Sequence, residues 1–381
     1  MRRLLLFVCS IIGAALFATP VIRDLKVTPV EPLGLAIDYN ISGATEDDAG
    51  RYRLKMSVFV YGKNYLAKTL TGATNCVNGA HRVYWNMAKD GITLGEADLD
   101  VTVTYKEEPL YCVIDLSKGS SAVSYPVIYL NAPPDGGFNT TEYKTTKLVL
   151  KRVDPGTFTM GHSDEDDNQP HTVTLTKPFY MGLYEVTQKQ WEFVMGSNPC
   201  SSTSYGKGNA YPVHYVSYNM IRGSSEGAKW PAANSVDSTS FLGKLRAKTG
   251  IDFDLPTEAQ WEYTCRAGTT TTYSYGDSAN GNYMWYADNS SSKTHEVGTK
   301  KANPWGFYDM HGNVWEWCLD WYNSSLSGGE DPVGSSSGSR RVLRGGSWFI
   351  DASRCTSSSL GYNYPSIDNN DHGFRLSRTL P

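Results

Sequence analysis

The amino-acid sequence predicts an α+β protein with sparse secondary structure in its larger C-terminal part, preceded by a small all-β domain. Residues 20–115 alternate apolar and polar side chains in short runs, as antiparallel strands do. Helix-start signals follow in the C-terminal part of the chain, from Thr187 onward. The many Tyr (25), Trp (10) and Gly (36) residues indicate loops packed around aromatic side chains. A length of 381 residues suits about two domains.

Residues 1–18 are predicted to be a cleaved signal peptide. Arg2 and Arg3 precede an apolar stretch that ends at Phe17, and Ala18 is a small residue suited to cleavage. The alternative, an uncleaved anchor, is disfavoured because the stretch is shorter than the ~20 residues that span a membrane. We therefore expect an exported protein, whether periplasmic, cell-surface or secreted, with no membrane span after cleavage. The formal net charge of −4 provides no basic face for nucleic acid.

Residues 19–130 are predicted to form an immunoglobulin-like β-sandwich. Several alternating runs, separated by Gly, Asn and Asp turns, are typical of a small sandwich. The stretch 81–91 resembles the late strands of immunoglobulin-like modules on exported bacterial proteins, and its domain is expected to be a docking module or a spacer. Residues 133–137 form a Pro- and Gly-rich breaker cluster, so a linker is predicted at 131–146 and a second domain at 147–381.

Three helices are predicted in the second domain from their end signals. A Thr followed three residues later by Gln has the spacing of a capping box, and the first and third helices carry it. The second helix is expected to begin at a Ser or Thr before an apolar face, and glycines suit the ends of the second and third helices. The start signals are Thr187 with Gln190, Ser238 or Thr239, and Thr257 with Gln260, and the end signals are Gly250 and Gly268.

A series of short strings along the second domain stands in a characteristic order. They include Gly156-Thr157-Phe158-Thr159-Met160-Gly161, Tyr184-Glu185-Val186-Thr187, Leu255-Pro256-Thr257-Glu258-Ala259-Gln260-Trp261-Glu262-Tyr263, Gly312-Asn313-Val314-Trp315-Glu316-Trp317, Arg344-Gly345-Gly346-Ser347-Trp348 and Gly373-Phe374-Arg375. Together they resemble the formylglycine-generating-enzyme, or sulfatase-modifying-factor, family. The resemblance implies a relative of the C-type lectin fold, with calcium sites and sparse secondary structure.

The resemblance also implies where an oxidase site would lie. The family's oxidases convert a cysteine in a Cys-x-Pro-x-Arg segment of a sulfatase to formylglycine with dioxygen, using two cysteines five residues apart after Gly-Gly-Ser. Paired thiolates suit Cu(I), which is a soft ion. Here the second position is Cys355, but the first is Ile350, which has no donor atom. Ser347 and Trp315 match residues of the family's oxygen pocket, yet neither replaces the thiolate.

A calcium site is implied at the string that contains Trp315. The matching positions are Asp309, Gly312, Val314 and Glu316. Two carboxylates and two backbone carbonyls would supply part of the roughly six to eight oxygen ligands that calcium takes. The alternative is that both carboxylates only hydrogen-bond the loop.

Most other side chains in these strings are predicted to be structural. Arg344 and Arg375 are expected to be buried and paired, because a lone buried charge is costly. Their candidate partners are Glu258 and Glu262. The aromatic residues are too numerous for ligand platforms and are expected to form a core. They are Trp261, Trp315, Trp317, Trp321, Trp348 and Phe374.

The cysteines leave two possibilities open. Loss of Cys9 with the signal peptide leaves six of the seven cysteines, and thiols pair in oxidising compartments. Cys355 is expected to form a disulfide, for which Cys318 is a candidate partner, or to remain as a reactive or metal-binding thiol. The acidic run at residues 164–167 is predicted to be a solvated loop.

Two functions follow from these observations. The first is a non-oxidase family member that binds a protein, a peptide or a glycan outside the cytoplasm. The alternative is a copper- and O2-dependent formylglycine-generating oxidase that acts on cysteine in exported sulfatases. The absent thiolate at Ile350 favours the first, and the retained Cys355 favours the second.

Overall fold

The computed structural model describes two separate units of the chain. The described residues are 4–8, 21–30, 34–43, 52–60, 63–67, 69–72, 78–90, 99–107, 109–162, 169–200, 204–324 and 328–380. The units are Met1–Pro109 and Leu110–Pro381. Most of the predicted signal peptide and the acidic run at 164–167 lie outside the described residues.

Within its described ranges, the N-terminal unit contains two four-stranded sheets. Its strands are β1 (Leu4–Val8), β2 (Val21–Val30), β3 (Gly34–Ser42), β4 (Tyr52–Val60), β5 (Lys63–Leu66), β6 (Leu70–Gly72), β7 (Gly79–Asn86) and β8 (Leu99–Glu107). The sheet orders are β1-β8-β4-β5 and β2-β3-β7-β6. These pairs are antiparallel except β1 with β8, so part of the predicted signal peptide is a strand here. The predicted antiparallel strands are present, and the immunoglobulin-like assignment stays a prediction.

The C-terminal unit combines short strands with five short α-helices among its described residues. Its strands are β9 (Tyr111–Asp115), β10 (Val127–Leu130), β11 (Lys147–Val153), β12 (Gly156–Met160), β13 (His171–Leu175), β14 (Phe179–Gly182), β15 (Trp315–Trp321), β16 (Gly329–Glu330), β17 (Arg341–Arg344), β18 (Leu360–Asn363), β19 (His372–Gly373) and β20 (Ser377–Thr379). Its helices are α1 (Thr141–Thr145), α2 (Gln188–Met195), α3 (Tyr218–Arg222), α4 (Phe241–Thr249) and α5 (Glu258–Arg266). The sheet orders are β10-β9-β11-β14-β20, β12-β13-β16 and β18-β17-β15-β19.

The division between the units falls earlier than the predicted linker. Strand β9 pairs with both β10 and β11, so residues 110–130 belong to the C-terminal unit. The breaker cluster at 133–137 is a turn inside that unit, and helix α1 lies within the predicted linker 131–146. Turn residues reveal where a chain bends, but they do not reveal which strands pair across the bend.

The helix ends follow local chemistry closely. Both capping boxes are confirmed, at Thr187 and at Thr257, and Gly250 ends α4 in a left-handed conformation. The start of α4 was predicted at Ser238 or Thr239, which is wrong. The side chain of Ser240 accepts the hydrogen bond from the Gly243 amide instead. Helix α5 ends at Arg266, and its left-handed capping residue is Ala267 rather than the predicted Gly268.

The core of the C-terminal unit is aromatic, as predicted. Its largest fully buried side chains include Trp191, Trp261, Trp317 and Trp348. Trp191 stacks on Phe241, with ring centroids 5.1 Å apart. Every residue of α5 is buried, so this helix packs centrally. None of the helices in the described part of the chain is long and apolar enough to cross a membrane.

Candidate functional site

Cys355 lies in a small, closely packed cluster of buried side chains. It follows a single 3-10 turn, Ala352–Arg354, and its side chain is fully buried against Tyr273 and Met284. Its Sγ is 3.8 Å from the oxygen of Asp351. Burial raises the pKa of the Cys355 thiol to about 12. At neutral pH the residue is therefore a thiol rather than a nucleophilic or metal-binding thiolate.

Ile350 is the residue that the family resemblance aligns with the first thiolate, and it lies beside Cys355. It packs, partly buried, against the cluster that contains Cys355. The predicted disulfide between Cys355 and Cys318 is wrong, because both are free and buried. Cys318 lies on β15 in a different cluster, with Trp261, so the two thiols are held apart by packing. Among the described residues, the remaining free cysteines are Cys112, Cys200 and Cys265.

His311 contacts the backbone of Cys355, and the sequence signals did not point to it. Its Nδ1 is 2.7 Å from the backbone oxygen of Cys355, and its Nε2 is 2.9 Å from the hydroxyl of Ser274. Burial lowers the pKa of His311 to about 4, so the ring is neutral at pH 7. The two ring nitrogens therefore join the backbone of Cys355 to the side chain of Ser274.

Ser347 and Trp315 are also held by structural contacts. The Ser347 hydroxyl donates to Oδ2 of Asp371 at 3.0 Å, and the other oxygen of Asp371 is 2.7 Å from Nδ1 of His372. Trp315 belongs to the main hydrophobic core. A Cβ on Gly361 would lie only 3.1 Å from its ring, so the two are in close contact. The assignment of Ser347 and Trp315 to an oxygen pocket stays a prediction.

Glu316 is bound by Arg375 and Trp261. Its Oε1 accepts from Nη2 of Arg375 at 2.6 Å, and its Oε2 accepts from Nε of Arg375 at 2.6 Å and from the Trp261 indole at 2.7 Å. All three side chains are fully or almost fully buried. This bidentate pair satisfies both charges in a dry environment. It also corrects the predicted pairing of Arg375 with Glu258 or Glu262.

Asp309 and Glu185 add two more buried carboxylates beside this pair. Oδ2 of Asp309 accepts from the Gly298 amide at 2.6 Å. Within the described part of the chain, its Oδ1 has no hydrogen-bond partner. Glu185 accepts from the side chain of Asn313 and the amide of Val314, at 2.6 and 3.1 Å. Burial raises the pKa of Asp309 to about 6, and burial and then the Asp309 charge raise that of Glu185.

The sequence reasoning missed Glu185, although an acidic residue inside an apolar run was an available signal. The structure brings Asp309, Glu316 and Glu185 into electrostatic contact around Arg375. However, the described residues contain no group of three or more His, Cys, Asp or Glu side chains arranged to hold a metal ion. Asp309 retains an oxygen that a cation could use, whereas Glu316 already has a counter-ion.

Arg344 is paired as predicted. Its guanidinium bonds the carboxylate of Glu262, which also accepts from Nε of Arg266 at 2.8 Å. The same guanidinium donates to the backbone oxygens of the segment that follows Cys355, including Ser359 at 2.7 Å. This arrangement ties the chain after Cys355 to helix α5.

Several known proteins are similar to this chain over the same region. The chaperone protein LppX of Paenibacillus barcinonensis is 31% identical over 276 residues, which cover 63% of this chain and 93% of LppX. The formylglycine-generating enzyme of Bos taurus is 26% identical over 280 residues, which cover 61% of this chain and 74% of that enzyme. The serine/threonine-protein kinase pkn1 of Chlamydia caviae is 30% identical over 248 residues, but these cover only 38% of the kinase.

Two solved structures have a similar fold. Treponema denticola variable protein 1 superposes with a TM-score of 0.52 at 31% identity, covering 62% of this chain and 96% of that one. PvdO from Pseudomonas aeruginosa gives a TM-score of 0.51 at 24% identity, covering 61% and 94%, and shows similarity of fold alone. Residues 138–380 match the model of the sulfatase-modifying factor enzyme 1-like domain. The chain therefore belongs to the sulfatase-modifying-factor, or formylglycine-generating-enzyme, family.

Proposed function

We propose that the C-terminal domain is a non-oxidase member of this family that binds a protein or peptide. The observation that carries this proposal is the side chain of Ile350 packed beside the buried thiol of Cys355. One buried thiol with a raised pKa is a poor ligand for Cu(I), which prefers paired thiolates. The name of the relative LppX describes a chaperone, a class of protein that binds other proteins, and this supports the proposed role.

The wild-type protein is expected not to oxidise a Cys-x-Pro-x-Arg peptide. The full chain is supplied with Cu(I), dioxygen and the peptide, and peptide mass is followed. Ile350→Cys restores a second sulfur at the family position and is expected to raise the affinity for Cu(I) well above that of wild type. Ile350→Ser is the matched control, because it shortens the side chain without adding a thiol.

The alternative function, a formylglycine-generating oxidase, is kept because Cys355 and Ser347 are retained. The similarity to the enzyme of Bos taurus over 74% of its length also favours it. Peptide turnover by the wild-type protein that disappears on Cys355→Ser would establish this alternative and remove the non-oxidase proposal.

We also propose that calcium binds the loop at residues 309–316, with a narrower set of ligands than the sequence predicted. The buried Oδ1 of Asp309 supports the proposal, because an unsatisfied carboxylate oxygen in a dry site is costly. The backbone carbonyls of Gly312 and Val314 are the other proposed donors. Glu316 is left out because Arg375 and Trp261 already engage both of its oxygens.

Added calcium is expected to raise the melting temperature of the chelated protein, because a ligand that binds only the folded state stabilises it. The measurement is a thermal scan with EGTA and then with excess calcium. Asp309→Asn is expected to abolish the response. A melting temperature that is the same in EGTA and in calcium contradicts the proposed site.

A further inference from the structure

On its outer edge, strand β20 has backbone N–H and C=O groups that do not hydrogen-bond to its neighbour β14. The oxygen of Leu376 and the amide of Leu380 both bond to residues on the β14 side, at 2.7 and 2.9 Å. In an antiparallel pair, successive residues direct their backbone groups to opposite sides of the strand. Ser377 and Thr379 therefore direct their N–H and C=O groups away from β14. This edge is the end of the five-stranded sheet.

Only one of these two outward positions is covered by another described segment. Ser377 donates to the oxygen of Asp254 at 2.6 Å and accepts from the Asp254 amide at 2.8 Å. The chain preceding Asp254 then turns, with the amide of Phe253 bonded to the oxygen of Ile251 at 2.9 Å. No residue in the described ranges continues this pairing opposite Thr379.

A cavity of about 360 Å³ lies along the vacant position. Thr379 lines it, together with Trp230 and the segment 331–333, which come from distant parts of the chain. The volume is within the range of roughly 300–1,000 Å³ that is typical of ligand pockets. Its apolar lining includes the nearly fully buried side chains of Leu175, Leu255 and Leu319.

The cavity is lined by charges of both signs. Asp254 is bonded by Arg222 at 2.7 and 2.9 Å and by Arg246 at 2.7 Å. The exposed charges of the lining are Lys177, Asp252 and Asp331. The two arginines therefore neutralise Asp254, the exposed charges are one positive and two negative, and the leucine side chains of the lining carry no charge. An uncharged occupant fits better than a strongly charged one.

We propose that this cavity binds an extended, uncharged peptide segment, which pairs its backbone with Thr379 and inserts one apolar side chain toward Leu175, Leu255 and Leu319. Peptides bind sheet edges in this way in general: main-chain hydrogen bonds provide affinity, and pockets for alternate side chains provide specificity. The site deepens the proposed peptide-binding function and rests on it. It shares no lining residue with the Cys355 cluster, so each can fail without the other.

The test uses the full chain and blocked pentapeptides, acetyl-Ser-Ser-Xaa-Ser-Ser-amide, with Leu, Val, Phe, Asp or Lys as Xaa. These probes contain no cysteine, so oxidase activity does not affect the result. The Leu, Val and Phe peptides are expected to shift the amide resonance of Thr379 and to slow its hydrogen exchange. The Asp and Lys peptides are expected to bind at least about fivefold more weakly, because burying an unpaired charge is costly.

Two substitutions at Thr379 separate the contribution of its backbone N–H to peptide affinity from that of its side chain. Thr379→Pro removes the outward N–H, which proline tolerates at an edge strand, and is expected to weaken the Leu peptide on the order of tenfold. Thr379→Val keeps the N–H and, like Thr379→Pro, loses the hydroxyl that accepts from Nε2 of Gln260 at 2.8 Å, so it is the matched control and is expected to change affinity by less than about threefold. The melting temperature of the Pro variant is expected to equal that of the Val variant.

Two results would overturn the proposal. One is that none of the apolar peptides perturbs the Thr379 amide, or that the Leu peptide binds Thr379→Pro as well as wild type. The other is that Thr379→Pro melts well below Thr379→Val, because the N–H would then be serving an internal contact. Neither result bears on the copper experiment, so the non-oxidase proposal is judged separately.

Discussion

Replacement of Arg375 by glutamine is expected to lower the free energy of unfolding by about 3–5 kcal/mol, because it leaves a buried carboxylate without its counter-ion. Arg375 donates to both oxygens of Glu316 and to the backbone oxygens of Gly182 and Tyr308, at 3.0 Å each for the two backbone contacts. The guanidinium therefore joins β14, the loop at 308 and β15. The measurement is urea unfolding at neutral pH.

Arg378 provides the matched control three residues further along the chain. It is half-buried, and its side chain donates a hydrogen bond to the hydroxyl of Tyr129 at 2.9 Å. Arg378→Gln is expected to cost about 1 kcal/mol or less. If Arg375→Gln costs no more than this control, Glu316 does not depend on the guanidinium, and the central role given to Arg375 in this cluster is wrong.

Gly346→Ala is expected to destabilise the fold by about 2–5 kcal/mol, from backbone strain and overpacking together. Gly346 has a φ of +79°, and a Cβ there would lie 2.6 Å from Sγ of Cys355 and 2.7 Å from the oxygen of Arg354. The oxygen belongs to the backbone and cannot rotate away. Chemical denaturation of the purified variant gives the loss directly.

The variant Gly268→Ala separates the cost of backbone strain from the cost of overpacking. Gly268 has a φ of +87°, but a Cβ there would meet nothing within 4 Å. Gly268→Ala is therefore expected to cost only the strain of the left-handed conformation, about 1–2 kcal/mol. Equal losses of unfolding free energy in the two alanine variants would mean that the packing around Cys355 accommodates an added methyl group, and the close packing described at Gly346 would be wrong.

Much of the candidate site followed from local sequence. The absent thiolate at Ile350 is a matter of residue identity, and the capping boxes at Thr187 and Thr257 join residues three positions apart. Such signals need no knowledge of tertiary structure, because the interacting groups are neighbours along the chain. The pairing of Arg344 with Glu262 was also predicted, from the cost of an isolated buried charge.

Ion-pair partners that are far apart in the sequence could not be predicted in the same way. Arg375 was predicted to pair with a carboxylate of α5 but bonds Glu316, which is 59 residues away in sequence. Glu185 joins the same cluster from 129 residues before Val314. Any of several acidic residues satisfies the electrostatic requirement, and only the packing of β14, β15 and α5 decides which of them is within reach.

The family resemblance alone raised the question of cysteine oxidation at this site. The cysteine at position 355 and the isoleucine at position 350, where the family has its first thiolate, are both properties of the amino-acid sequence. The tertiary structure decided that the Cys355 thiol is buried and unpaired, since burial depends on which distant side chains, such as Tyr273 and Met284, pack around it. It also decided the vacant edge at Thr379, because an unfilled position in a sheet exists only after the strands have paired.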